Sequence, residues 1–364
     1  MGSVQEGLER YTLSEKILAA HAGLDEVHAG QFVDVAVDLV LSNDITAPIA
    51  IREFEKLAGD GPPLKVFDSE RVVMVADHFA PNKDIKSAEQ CLVMRRFAQQ
   101  QHVPHYYDVG RMGIEHVLLP EQGLVVPGDI VVGADSHTCT YGALGAFATG
   151  MGSTDIAVAM ATGRTWMRVP ETIRIVCEGE LQPWVGGKDL ILYTIGQIGV
   201  AGARYKAIEF AGPTVEALTM EGRLTMANMA IEAGAKTGLF AVDDVTRAYV
   251  DWRAKRPYNT FRADAGATYA QVIEIDASRI EPQVAFPHLP ENSRPARQAG
   301  EVRIDQAIIG SCTNGRLEDL RLAAEVLRGR RVHPDVRCIV VPGSQQVYLD
   351  ALREGLVEVF VEAG

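Results

Sequence analysis

Two short stretches constrain this chain more than anything else in it. Arg71–Ala76 (RVVMVA) and Asp129–Ala134 (DIVVGA) are continuous apolar runs, each followed at once by an acid and a histidine, Asp77-His78 and Asp135-Ser136-His137-Thr138. Apolar runs this short read as strands buried on both faces, the condition of a parallel sheet. Helical patterns fill the gaps: Ala47–Leu57 and Ser87–Gln100 are expected helices, and another opens at Ser153, with Asp155 in its first turn, and ends before Gly163. Strand and helix in alternation imply an α/β protein with a mostly parallel, doubly wound sheet. Ligands bind beyond the carboxyl ends of such strands, which is where the acids and imidazoles fall.

Phe32–Leu41 (FVDVAVDLVL) alternates apolar and acidic residues and reads as one strand near a sheet edge. A different register opens at Pro170, with strands expected at Thr172–Glu178 and Lys206–Phe210 and helices at Asp189–Ile198, Thr214–Glu221 and Thr225–Ala233. Phe286–Ala299 carries three prolines and little apolar content, as a linker does. The pattern then restarts: a strand at Val302–Gly310, a helix at Leu317–Leu327 closed by Gly329, a strand at Val336–Val341, a helix at Gln345–Glu354 and a strand begun at Val357–Val361. Three α/β domains are expected, at 1–169, 170–285 and 286–364. The third, stopping at Gly364 as a strand ends, reads as incomplete.

Composition narrows the function. With 364 residues, 47% hydrophobic and 23% charged, the chain can bury large cores. A net charge of -13 excludes nucleic acid and anionic membrane as partners, because neither phosphate nor lipid headgroup finds a basic footprint. No stretch approaches the length of a membrane span, and the polar start from Met1 to Arg10 lacks a signal pattern. Five scattered cysteines with no C-x-x-C form neither a disulfide framework nor a zinc signature, so a reduced, cytoplasmic enzyme is expected.

Four polar groups sit at strand ends: Ser42-Asn43-Asp44, Asp77-His78, Asp135-Ser136-His137-Thr138 and Ser311-Cys312-Thr313-Asn314-Gly315. A carboxylate beside an imidazole orients it and raises its basicity, the arrangement general acid–base catalysis uses. One such pair alone reads as a cap or turn; two at matching positions with a cysteine read as a site. Cys312 is placed between a strand end and the start of a helix, where free N–H groups favour a thiolate. Cys91, Cys177 and Cys338 fall in core patterns, while Cys139, after the Asp135 turn, stays open between core and site. Gly142, Gly145, Gly150 and Gly152 fit neither a dinucleotide fingerprint nor a P-loop, and close backbone packing is the expected reason for them. Asn228 and Glu232, four apart, are expected on one helix face.

Taken together, Asp77-His78, Gly113-Ile114-Glu115-His116, Gly133-Ala134-Asp135-Ser136-His137-Thr138, Asn228-Met229-Ala230-Ile231-Glu232 and Gly310-Ser311-Cys312-Thr313-Asn314 resemble the aconitase superfamily along nearly the whole chain. Within it they are most similar to the large subunits of the isopropylmalate dehydratase branch. The resemblance implies an aconitase-like fold and a hydro-lyase acting on a hydroxy-dicarboxylic acid by dehydration and rehydration, in leucine biosynthesis. Homoaconitase and 2,3-dimethylmalate or citraconate hydratase are the neighbouring readings.

It further implies a [4Fe–4S] cluster held by three thiolates, with Cys312 the first ligand. Asp77 and His78 are implied to handle the proton of the leaving hydroxyl, His116 to pair with Asp135, and His137 with Glu232. Ser136 and Asn228 are implied at the substrate, as is Asn43, where relatives carry His or Gln. The base is implied to be a serine of a separate small subunit. The family's other two cluster cysteines lie past Gly364, so the chain is expected to be C-terminally truncated, unable to hold the cluster unaided and inactive alone. From other classes, Cys312 as a hydrolase or acyltransferase nucleophile and an inactive assembly fragment are the alternatives.

Overall fold

The computed structural model describes residues 10–364; apart from Arg10, the polar start read at Met1 to Arg10 lies outside it. Its centre is a five-stranded parallel sheet in the spatial order His105–Tyr107, Val72–Val75, Leu39–Asn43, Ile130–Gly133, Phe147–Gly150. The chain winds outward one way from Leu39–Asn43, then returns and winds the other way from Ile130–Gly133. The two strands on either side of this reversal are neighbours, and their carboxyl ends open a crevice there.

Both faces of this sheet are covered, which is why its strands read as unbroken apolar runs. Val40, Val72, Met74, Ile130 and Val132 pack with the Leu13–Ala22, Ala47–Lys56, Ile85–Gln100 and Ser153–Thr162 helices. Leu39, Leu41, Val73, Val75 and Val131 point the other way, into a core that runs on without interruption to Ile280. That second core holds another parallel sheet, ordered Thr237–Phe240, Ala207–Ala211, Thr172–Glu178, Gln271–Asp276.

A smaller unit follows. Gln306–Ile309 and Arg337–Val340 pair in parallel beneath helices Leu317–Leu327, Gln345–Arg353 and Leu356–Ala363. Its core of Leu320, Ala324, Val347, Ala351, Leu356 and Val359 takes in Val117 from the helix Glu115–Glu121. The Ile114 N–H also donates to the Gly343 carbonyl at 2.8 Å, and Ser344 to Glu121 at 2.5 Å.

Several expectations are corrected. Phe32–Leu41 is two strands: Phe32–Ala36 pairs antiparallel with Arg164–Arg168, and only Leu39–Asn43 enters the sheet. Asp38 makes the break, because its carboxylate is drawn inward by His21 at 2.7 Å, Arg71 at 2.9 Å and the Ile130 N–H at 2.9 Å. The expected helix Thr214–Glu221 is interrupted after Glu216, and a new one, capped by Thr219, begins at Met220. That helix ends at Asn228, and Met229–Ala233 continues as 3-10 turns, so Asn228 and Glu232 do not share an α-helical face. The proline-rich stretch after Phe286 is the turn and second strand of a hairpin, Gln283–Ala285 with Ser293–Pro295.

Val357–Val361 is helical, not a strand. Leu356, Val359 and Ala363 are buried at helical spacing, and Glu358 lies off that face. The third unit thus has two strands and three helices among the described residues.

Candidate active site

The sheet reversal gathers three strand ends. Asp44, just past Leu39–Asn43, is fully buried and accepts the backbone N–H groups of His78 at 3.1 Å and Phe79 at 2.7 Å. It thereby fixes the turn that presents His78. Asp77 Oδ1 holds His78 Nδ1 at 2.7 Å, and its Oδ2 accepts the Glu115 N–H at 2.7 Å. The His78 ring faces the open crevice, with Nε2 3.8 Å from Asp135 Oδ2. The hydrogen bond to Asp77 raises the His78 pKa against the opposing effect of burial.

Asp135 is the hub. Its Oδ1 takes His116 Nε2 at 2.8 Å and the His137 N–H at 2.7 Å. Burial works to raise its pKa, but hydrogen bonds from His116 and His137 outweigh this and hold the carboxyl far below the usual carboxylate range. Burial keeps His116 neutral by lowering its pKa; its Nδ1 lies 3.1 Å from the Tyr141 hydroxyl. His137 faces Glu232, Nε2 to Oε1 3.3 Å, and hydrogen bonding to Asp135 and Glu232 pushes its pKa up to about 10. At neutral pH it is an imidazolium.

Beside this group, Asn228 is buried and donates to Thr140 Oγ1 at 2.8 Å, while its Oδ1 meets the Cys312 thiol at 3.9 Å. His137, Asn228 and Glu232 line a cleft of about 640 Å³ together with Lys188, Thr313 and the turn of the hairpin. Ser136 is exposed, with Oγ 3.3 Å from His137 Nδ1, and lines a neighbouring cleft of about 610 Å³.

Asn43 is 1% exposed, and its amide is committed inward. Its oxygen accepts from the Ile45 and Thr46 backbone at 3.1 and 3.2 Å, and its nitrogen donates to Glu115 at 3.1 Å. It thereby holds Glu115 in place. Cys312 stands in a loop; the helix that follows begins only at Leu317, so the thiol is outside the first helical turn.

Some residues shape the site in ways that their sequence positions did not show. Glu115 is 1% exposed, and one of its oxygens has no partner. Burial, then the charges of Asp77 and Asp135, raise its pKa well above the ordinary value and favour its protonated form. Arg316, also buried, donates to the His116 carbonyl at 3.1 Å and the Thr313 carbonyl at 2.8 Å. Burial lowers the pKa of Lys188. The glycines of the strand ends are close-packing positions: a Cβ on Gly133 would lie 2.1 Å from Thr138 Oγ1, and one on Gly150 2.6 Å from the Asp135 carbonyl.

A three-thiolate cluster does not fit the described residues on their own. Cys139 is fully buried, donates to the Asn228 carbonyl at 3.3 Å and is pushed up to about 12 by burial. Cys91 and Cys177 are buried, and Cys338 is half-buried in the strand Arg337–Val340. Cys312 is therefore the one thiol among the described residues placed at this cleft. Asp44, Asp77 and His78, and Glu115, His116 and Asp135, have metal-ligand atoms within 4.8 Å of one another. Most of these carboxylate oxygens already hold hydrogen bonds.

A sequence profile of the Aconitase family (aconitate hydratase) matches residues 15–301 and 292–364. The chain is 64% identical over 353 residues to the 3-isopropylmalate dehydratase large subunit of Moorella thermoacetica, covering 97% of this chain and 83% of that protein. It is 60% identical to the protein of that name in Syntrophus aciditrophicus, with the same shares covered. It is also 60% identical to 3-isopropylmalate dehydratase large subunit 1 of Pyrococcus furiosus, again over 97% and 83%. With a matching profile along almost its whole length and relatives this similar, the chain belongs to the aconitase family.

Proposed function

We propose that the chain is the large subunit of a 3-isopropylmalate dehydratase, a hydro-lyase that interconverts 2- and 3-isopropylmalate by dehydration and rehydration in leucine biosynthesis. The observation that carries the reading is the convergence of three carboxylate-paired imidazoles, His78, His116 and His137, on Asp135 at the sheet reversal. The names of relatives 57–64% identical support the substrate.

Loss of water from a hydroxy acid requires a proton for the departing hydroxyl and removal of a carbon-bound proton. His78 is the acid: Asp77 fixes its Nδ1 side, and Nε2 faces the crevice. His137 supplies a fixed positive charge for an anionic substrate, held between Asp135 and Glu232. Neutral His116, seated against Tyr141, keeps Asp135 ionised and in place. Asn228 and Ser136 border the substrate. The aconitase family is known for a [4Fe–4S] cluster that serves as electrophile, and Cys312 is the residue we assign to it.

The designation of the relatives as large subunits supports a small-subunit partner, which we assign the serine base for the carbon-bound proton. No described helix is long and apolar enough to cross a membrane, and we place the enzyme in the cytoplasm. A cysteine-hydrolase reading gains no support, since the Cys312 thiol meets an amide oxygen and not an imidazole.

The test is an assay of the chain carried in a protein of its relatives' full length, co-expressed with its small subunit and reconstituted anaerobically with iron and sulfide, following ultraviolet absorption of the unsaturated diacid. Dehydration of 3-isopropylmalate that is abolished in His78→Asn supports the assignment. An assembled, iron-loaded enzyme that ignores isopropylmalate, or a His78→Asn variant of full activity, overturns it.

A further inference from the structure

The cleft beside His137 holds one charge that the acid–base machinery leaves unused. Lys188 lies in the first turn of the helix Gly187–Ile198 and lines this cleft together with His137, Asn228 and Glu232. Among the described residues its ammonium makes no hydrogen bond to an acceptor, and no carboxylate stands within ion-pair distance of it. The other lysines drawn into packed surroundings are engaged: Lys236 donates to the Gly150 carbonyl, and Lys16 and Lys206 pair with Asp264 and Glu171. Lys188 is half-buried, and a partly desolvated cation without a partner is stabilised when an anionic ligand arrives. A compact ammonium with rotatable donors suits a single carboxylate as a point charge.

Apolar residues line the cleft beside Lys188. Leu192 and Met229 are buried behind it, and the hairpin turn contributes Val284, Phe286 and Leu289. The hairpin itself is anchored to the same helix: the Gln283 N–H donates to Asp189 at 2.7 Å, one residue from Lys188. One rigid element thus sets the distance between cation and apolar wall.

We infer that Lys188 anchors one carboxylate of the substrate while the wall formed with Phe286 and Leu289 receives its alkyl branch, so that this chain takes part in choosing a branched-chain hydroxy-dicarboxylate. The inference rests on the hydro-lyase reading above and adds to it the residues that recognise the acid. A pocket with a few placed polar groups in an otherwise apolar lining is how small-molecule sites fix orientation and size together.

The test compares Lys188→Met, Lys188→Arg and Phe286→Ala with the unaltered sequence, each carried in a protein of its relatives' full length, assembled with the small subunit and iron-loaded. Steady-state kinetics are taken with 3-isopropylmalate and with its methyl-substituted counterpart, and malate binding to the chain alone is followed by calorimetry. Lys188→Met is expected to raise KM for both acids by about tenfold or more with a smaller change in kcat. Lys188→Arg recovers much of that loss. Phe286→Ala raises KM for the isopropyl acid several-fold more than for the methyl acid.

Unchanged KM in Lys188→Met, or a loss confined to kcat, overturns the inference, as does malate binding that is the same with and without Lys188. The calorimetric arm needs no turnover. If the assembled enzyme transforms neither acid, the hydro-lyase reading fails, yet the role of Lys188 is still decided by whether malate binding depends on it.

Discussion

Arg316 reaches from the loop that carries Cys312 to the carbonyl of His116, 3.1 Å away, and so ties the third unit of the chain to the site's buried imidazole. Its other terminal nitrogen holds the Thr313 carbonyl at 2.8 Å, and Val117, next to His116, completes the smaller core. Two distant stretches of chain therefore share one buried guanidinium. Arg316→Met leaves both carbonyls without donors and is expected to cost about 2–4 kcal/mol by urea unfolding, with Arg316→Lys recovering part. A loss below about 0.5 kcal/mol would show that the carbonyls find water instead.

Asp77 sets the acid. Because its hydrogen bond raises the His78 pKa, Asp77→Asn should let that value fall toward the ordinary 6.5, as read by histidine NMR titration. The sign follows from the protonated form being the donor: the alkaline limb of the activity profile moves to lower pH in the variant. An unmoved limb would assign the donor elsewhere.

Glu115 has its folded pKa raised above the unfolded value, so folding is most favoured below the ordinary 4.5 and that advantage is lost as pH rises toward the folded pKa. Glu115→Gln removes the titration. Relative to the unaltered chain it should gain stability steadily with pH above that ordinary value, and then level off. A stability difference that stays flat with pH would mean Glu115 is ionised in the fold.

The thiols divide by burial. Iodoacetamide at neutral pH, read by mass spectrometry, is expected to modify Cys312 and Cys338, which are half-buried. Cys139 and Cys177, pushed up to about 12 and about 11 by burial, should stay unmodified in the folded chain. Labelling of Cys139 at the rate of Cys312 would show that the turn after Asp135 opens.

Gly133 lets the Asp135 turn fold back on its own strand. Gly133→Ala would press a methyl group against the Thr138 hydroxyl, which itself holds the Asp135 carbonyl at 2.7 Å. A cost of about 1–3 kcal/mol is expected. Thr138→Ala in the same background should recover part of it, as two groups in contact do not add independently; strictly additive losses would place the strain elsewhere.

What could be read locally were the strands whose pattern has a single physical meaning. RVVMVA and DIVVGA are apolar throughout because both faces of a parallel strand are covered, and the acids and imidazoles that follow them stand at a crevice for the same reason. The five motif groups were legible too, since they are contiguous. The folded chain settled matters in which a residue's partner lies far away in sequence. Phe32–Leu41 splits because Asp38 is claimed by His21, Arg71 and Ile130, and Val357–Val361 coils because two other helices receive its apolar face. Neither partner set leaves a mark on the local pattern, where alternation and β-branching point to strand. Asn43, Glu115, Lys188 and Arg316 owe their roles to burial and to contacts that the chain closes across tens to hundreds of residues. Desolvation raises the pKa of a glutamate and lowers that of a lysine, and desolvation is a property of the surroundings, not of the residue.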